Sequence, residues 1–332
     1  MISRTKYHVD NATILRLFRS AGIEGVTDIE PLGAGEYNAV YCAKAGEREY
    51  VLKIAPAENI SVLTYEKNMM ASEVFWYQQI RENTSVIVPK VYYEDYQKKI
   101  IPTDYFIMEK LLGQQMDQME MSEEEKAEGN AQMARMLAQI HRIKNDKCGY
   151  IQNELYDNWY LAIRGMVSTV LKDGKKKGRG SSRGKKLLAF IDQYKEVLMQ
   201  VECTMVNFDL WAPNIICRRE NGEIKYAWID PERSFWGDPI ADFVCLEMMT
   251  PLDEKKKSLA AYNEVAEKPV IVTEVEKIRY AIALGYLALI MEVEKYYRYT
   301  PWHYGWWRNV GASSMLYKQA FLFLDRAKNK NT

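Results

Sequence analysis

The sequence predicts an α+β chain of two lobes, a small antiparallel-sheet lobe over residues 1–110 and a mainly helical lobe over 111–332. Strand-and-turn patterns mark the first third, helical spacing dominates after Gly113, and the change falls near residue 110. The length of 332 residues suits two domains, and 48% apolar with 12% aromatic side chains suffices for a core in each, which excludes disorder throughout.

Ile14, Leu15, Leu17 and Phe18 share one face of a short amphipathic helix over 11–21. From Ile29 the period changes. Glycines at 33 and 35 precede Ala39-Val40-Tyr41-Cys42, a turn at Ala45-Gly46, and then Glu49-Tyr50-Val51-Leu52-Lys53-Ile54, which together read as a hairpin. Residues 64–81 read as a helix, and 86–93 and 105–111 as extended. Ser122 with Glu125 forms a capping-box pattern ahead of Met133, Leu137 and Ile140 at helical spacing. The segment from Lys172 to Lys186, with eight basic residues, one Asp and four glycines, reads as a mobile solvated loop or as a lid that attracts an anion. Helix resumes at 187–201, short strands at 204–217 and 224–230 flank a loop, and helices over about 274–297 and 312–327 close the chain.

Composition excludes several function classes. Lys plus Arg and Asp plus Glu are each 45, so the formal net charge is zero, and a nucleic-acid partner is not expected. Five scattered cysteines without a CxxC pair argue against a disulfide scaffold or zinc ribbon, and read as reduced, mostly buried thiols. The N-terminus has no signal-peptide core, and the longest apolar run, Tyr280–Met291, has twelve residues where a membrane span needs about 20. The chain therefore reads as soluble and cytoplasmic.

Three segments carry chemistry jointly. Gly33 and Gly35 can bring backbone close to phosphate oxygens, and the hairpin that follows makes this loop a flap rather than a Rossmann turn. The same hairpin delivers Lys53, suited to phosphates as a point charge, although a lysine in such a strand equally marks a solvated face. Glu66 and Glu73, seven apart on the next helix, can each pair with Lys53. Asp209 and Asn214 lie in a loop between apolar stretches, and Asp230 follows sixteen residues after Asn214. Phosphoryl transfer needs a carboxylate beside the attacking hydroxyl and oxygen ligands for Mg²⁺; Asp209 can be the first, and Asn214 and Asp230 the second.

In this order the sequence resembles the aminoglycoside phosphotransferase and choline kinase-like family of the protein-kinase-like superfamily. The resemblance spans about residues 25–245 and includes Phe106 to Gly113, Leu137-Ala138-Gln139-Ile140-His141, Asp230-Pro231-Glu232 and Gly237-Asp238-Pro239-Ile240-Ala241-Asp242. It implies a two-lobed protein-kinase-like fold and a kinase that uses ATP or GTP with Mg²⁺ on a small hydroxylated acceptor such as an aminoglycoside, amino alcohol or sugar. By similarity the backbone of Glu109 and Leu111 would hold the base, Gly33, Gly35 and Lys53, steadied by Glu73, the phosphates, Asn214 and Asp230 the metal, and Asp209 the acceptor proton. His141 would pack under the catalytic loop. The family's loop usually reads His-Gly-Asp where this chain has Asn207-Phe208-Asp209, which leaves a catalytically impaired nucleotide-binding protein as the alternative. Only six residues separate Asp230 from Gly237, too few for the activation segment of a protein kinase, so a small acceptor is favoured. On the acceptor side, Tyr296, Tyr297, Tyr299, Trp302, Tyr304, Trp306 and Trp307 are dense enough either to pack a helix pair or to line a pocket, and Glu292 and Glu294 form no dense acidic patch. The acceptor's identity and the oligomeric state are left open.

Overall fold

A computed structural model of the chain describes residues 6–32 and 37–330; Gly33 and Gly35 lie outside the described residues. The first region contains α1 (Asn11–Ser20), β1 (Val26–Pro31), β2 (Ala39–Ala45), β3 (Arg48–Ile54), α2 (Met69–Asn83), β4 (Val91–Asp95) and β5 (Tyr105–Glu109). Its strands form one five-stranded antiparallel sheet, ordered β1-β2-β3-β5-β4. Period two decides the two faces of the central strand β3. Leu52 and Ile54 pack with Tyr105, Ile107 and the α1 residues Ile14, Leu17 and Phe18. Val51 joins Phe106 and Met108 in a second core with Met69, Met70, Trp76, Tyr77 and Ile80 of α2, and Lys53 shares its parity. The predicted hairpin and the first helix are thus present, and the extended segment 86–93 becomes a strand only from Val91.

The second region contains β6 (Gln114–Gln115), α3 (Glu123–Ile140), α4 (Trp159–Lys176), α5 (Ser182–Gln193), α6 (Lys195–Met199), β7 (Thr204–Val206), β8 (Ile215–Glu220), β9 (Glu223–Trp228), β10 (Phe235–Gly237), α7 (Lys256–Val265), α8 (Glu274–Arg298) and α9 (Tyr304–Lys330). The capping box forms as predicted: Glu125 N–H donates to Ser122 Oγ at 3.2 Å, and Ser122 N–H to the Glu125 carboxylate at 2.9 Å. The run Tyr280–Met291 lies in α8, which is buried nearly all round and packs against α4, α5 and α9. Among the described residues no helix is long and apolar enough to cross a membrane. The sequence places α9 from 312, yet it starts at Tyr304, and the expected strand at 204–217 is two, β7 paired to β10 and β8 paired to β6 and β9.

Two expectations are overturned. Residues 172–186 are not a mobile loop but the end of α4, a tight turn and the start of α5. Two of their glycines serve close approach: a Cβ on Gly184 would lie 2.7 Å from Leu171 Cδ2 and 2.8 Å from Leu289 Cδ1, and one on Gly174 would lie 3.1 Å from Arg179 O. Ser181 caps α5 by accepting from Gly184 N–H at 2.8 Å, and Asp173 is buried. The preceding part of α4, absent from the sequence expectation, buries Trp159, Ala162, Ile163, Met166, Val167 and Val170 at helical spacing.

The cysteines are not all thiols. Cys148 and Cys203 form a disulfide with a Cα–Cα distance of 5.9 Å, and Cys42, Cys217 and Cys245 are free. Tertiary pairing brings the two together: Thr204 bridges Lys144, and Asn145 N–H donates to Cys203 O at 3.1 Å. This removes the thiol argument for a reducing compartment. Thiol titration of the unfolded, unreduced protein should find three reactive thiols, rising to five after reduction. Cys203→Ala should lower unfolding stability by about 2–4 kcal/mol in urea without reductant; five thiols before reduction would refute the bridge.

Candidate active site

Strand β3 carries Lys53 into a buried acidic nest. Its ammonium lies 2.6 Å from Glu73 Oε2, 2.5 Å from Asp230 Oδ1 and 3.2 Å from Glu232 Oε2. Burial alone would lower the lysine pKa; Asp230, Glu232 and Glu73 outweigh it and hold the value well above the ordinary one. The three carboxylates converge within 4.8 Å of one another, so one cation faces three acidic groups. Burial, with Asp230 and Glu232 adding to it against Lys53, pushes Glu73 up to about 8. Glu73 Oε1 is buried without a partner. An excess of negative charge and an unpartnered hard oxygen are what a divalent cation such as Mg²⁺ would satisfy.

Of the two candidate glutamates, only Glu73 reaches Lys53. Glu66 lies in a 3₁₀ turn, Thr64–Glu66, and Asn68 at φ 58° breaks the helical phase between them. Glu66 instead takes Arg298 at 2.5 Å.

Asp209 follows β7 in a loop fixed by backbone hydrogen bonds. The N–H groups of Asn207 and Phe208 donate to Asp242 at 3.0 and 2.6 Å, and Asp209 N–H donates to Asn207 Oδ1 at 2.8 Å. Behind Asp242, His141 Nε2 stands at 2.9 Å, with its Nδ1 2.8 Å from the Tyr262 hydroxyl. His141 therefore buttresses the loop, as the resemblance implied. Phe208 has φ 60°, the left-handed region that favours glycine, and its ring is buried against Phe235 and Tyr286 at 5.4 and 5.6 Å.

Asn214 Nδ2 donates to Asp209 O at 2.9 Å, so the amide oxygen is the atom it can offer a cation. Its carbonyl accepts from Ile229 N–H at 2.9 Å, which brings the Asn214 backbone beside Asp230. Asp230, at φ 66°, is held by its N–H donating to Tyr77 Oη at 2.9 Å. Burial raises Asp209 to about 7; Arg233, its Nε 3.8 Å from Asp209 Oδ2, opposes that rise, while Asp230, Glu232 and Glu294 add to it.

Glu109 ends β5, its N–H donating to Lys90 O at 2.8 Å, and Leu111 follows in the connector. Gly113, at φ 128°, touches β8 so closely that a Cβ would lie 2.3 Å from Cys217 O. Of the aromatic cluster, Tyr296 and Trp306 pack edge to face at 5.4 Å, which joins α8 to α9, whereas Trp302, Tyr304 and Trp307 are exposed.

Sequence reasoning missed four participants. Glu232 was legible only as part of a motif, and Asn38, whose Nδ2 donates to Glu232 at 2.9 Å, ties the end of the glycine loop to the nest. Arg233 meets Glu294 at 3.1 Å, and Arg298 meets Glu294 at 2.8 Å as well as Glu66. Arg298 left no sequence signal, being 232 residues from Glu66.

Comparison with known proteins bears on the family and the fold. A model of the phosphotransferase enzyme family, APH, matches residues 28–269. No curated protein matches the chain significantly. The fold is similar to that of a protein from Haemophilus somnus 129PT assigned as a fructosamine-3-kinase (18% identity, 94% of this chain and 96% of that one, TM-score 0.66). It is also similar to a microcompartment-associated aminopropanol kinase (16%, 95% and 98%, TM-score 0.63). A third likeness is to APH(2")-IIa in its ternary complex with streptomycin and ATP (18%, 96% and 99%, TM-score 0.58).

Replacing Phe208 separates its two roles. Phe208→Ala removes the ring and should cost about 3–5 kcal/mol. Phe208→Gly removes the same ring but relieves the left-handed backbone, and should be about 1 kcal/mol more stable than the alanine variant. Urea denaturation of both checks the order, and alanine equal to glycine would refute it.

Proposed function

The chain belongs to the phosphotransferase enzyme family, and from that premise we propose that it is a kinase moving the γ-phosphate of ATP, or GTP, to a hydroxyl of a small molecule. The observation that carries the proposal is the convergence of Lys53, Glu73, Asp230 and Glu232, from three separate segments, at one nest beside the Asp209–Asn214 loop. In this reading residues 1–110 are the nucleotide lobe and 111–332 the acceptor lobe. The backbone of Glu109 and Leu111 receives the base, the Gly33–Gly35 loop covers the phosphates, and Lys53, oriented by Glu73, grips them. Asn214 and Asp230, with Glu232 adjoining, would hold Mg²⁺, which neutralises phosphate charge when bound.

Asp209 receives the proton of the acceptor hydroxyl. Its raised pKa makes it a stronger base than an ordinary aspartate once ionised. Arg233 keeps that rise in check. Asn207 supports the loop through Asp209 N–H, and Phe208 anchors it from below. A loop held in this way favours an active enzyme over the impaired alternative. The six residues from Pro231 to Trp236 form a 3₁₀ turn and most of β10, which supports a small acceptor over a protein.

Asp209→Asn should lower acceptor-dependent ADP release by at least about 10³-fold with nucleotide affinity retained; preserved turnover would refute the role. Lys53→Ala should weaken productive nucleotide binding, read as a fall in kcat/KM for ATP, and an unchanged value would move the phosphate site elsewhere. Because Asp209 must be ionised to accept a proton, kcat/KM should rise with pH through about 7. Removing the opposing cation by Arg233→Met should shift that limb to higher pH, and a shift downward would contradict the assignment.

A further inference from the structure

Beyond Asp209 the site is walled by residues that the kinase reading leaves unused. Glu66 and Glu294 are the carboxylates on this wall, and both are spent. The Glu66 oxygens take Arg298 at 2.5 Å and Leu63 N–H at 2.9 Å. Those of Glu294 take Arg298 at 2.8 Å, Arg233 at 3.1 Å and Asn309 Nδ2 at 3.4 Å. A polyamine acceptor would find no free carboxylate on these two side chains.

What remains over is mainly donors. The Tyr65 hydroxyl is buried, 2% exposed, and has no hydrogen-bond partner, and neither has Arg298 Nε. Each such orphan costs about 1–3 kcal/mol unless a ligand or water meets it. The charges acting on the Tyr65 hydroxyl are those of Arg233, Glu66, Glu294 and Arg298, so it faces the same polar wall. Gln152, whose Nε2 donates to Tyr65 O at 2.8 Å, contributes an unpartnered acceptor, Oε1. Arg298 also lies over the ring of Tyr37, at 5.4 Å, just after the glycine loop.

The basic segment singled out in the sequence joins this wall. Buried Asp173 accepts from Thr64 N–H and Oγ1, both at 2.7 Å, and Lys176 reaches Thr64 Oγ1 at 3.3 Å, one residue from Tyr65. Lys172, Lys175 and Arg179 on the same turn are exposed. They add positive charge on the side of Thr64.

We propose that the acceptor is an anionic hydroxyl compound, whose carboxylate or phosphate oxygens are bound by Arg298 and the Tyr65 hydroxyl while a hydroxyl meets Gln152. The inference rests on the kinase reading of Asp209. It predicts discrimination by charge within a carbon-matched set, tested as binding of gluconate, glucose and glucosamine to the full chain loaded with Mg²⁺ and AMP-PNP, by titration calorimetry. Gluconate should bind at least about ten-fold more tightly than glucosamine, with glucose between them. Tyr65→Phe deletes only the orphan oxygen; it should keep or raise the melting temperature and weaken gluconate about five-fold. A structural tyrosine would leave gluconate binding unmoved. Glucosamine binding as well as gluconate, gluconate failing to bind, or Tyr65→Phe without effect on it overturns the inference. AMP-PNP binding in the same samples keeps the two readings apart: without it the kinase reading fails and takes this one with it, and with it only the acceptor class fails.

Discussion

Asp242 is fully buried, and its two oxygens accept from the N–H groups of Asn207 and Phe208 while one of them meets His141 Nε2. A buried carboxylate without such partners would cost several kcal/mol, so the three contacts are obligatory. They lock four pieces of chain into one unit: the 3₁₀ turn bearing Asp242, the end of α3, the loop after β7, and α7 through Tyr262. The direction in which Asp209 points follows from this unit, because Asp209 N–H is fixed by the adjacent Asn207 side chain.

Across the cleft the constraint is of the opposite kind. Lys53 is surrounded by more carboxylate than it can neutralise, and burial prevents water from screening the excess. Such a nest is a poor source of stability and a good receptor for added positive charge. Asp209, slightly outside it, feels the same anions but is tempered by Arg233. Two neighbouring regions of carboxylates thus have different partners: the nest encloses Lys53, and Asp209 stands beside Arg233.

Phe208 shows how a left-handed backbone position can carry a large side chain. The left-handed backbone that glycine would adopt freely is imposed on a phenylalanine at a cost of about 1–2 kcal/mol. Burial of the ring between Phe235 and Tyr286 returns more than that, about 1.5–3 kcal/mol. Asn207 supplies a side-chain acceptor for Asp209 N–H.

The sequence by itself determined the elements whose signal is local. Alternation in Tyr50 to Ile54 defined the central strand, Ser122 with Glu125 defined a helix start, and the spacing of Asp209, Asn214 and Asp230 marked the candidate loop, because period, capping and turn chemistry act within a few neighbouring residues. Tertiary structure alone decided the rest. It chose Glu73 over Glu66 for Lys53, turned glycine-rich basic chain into tightly packed helices, joined Cys148 to Cys203, and set Arg233 and Arg298 on the carboxylates beside Asp209. Those outcomes depend on pairings between residues tens to hundreds of positions apart, whose energy exists only once packing has excluded water and brought the partners within hydrogen-bond reach.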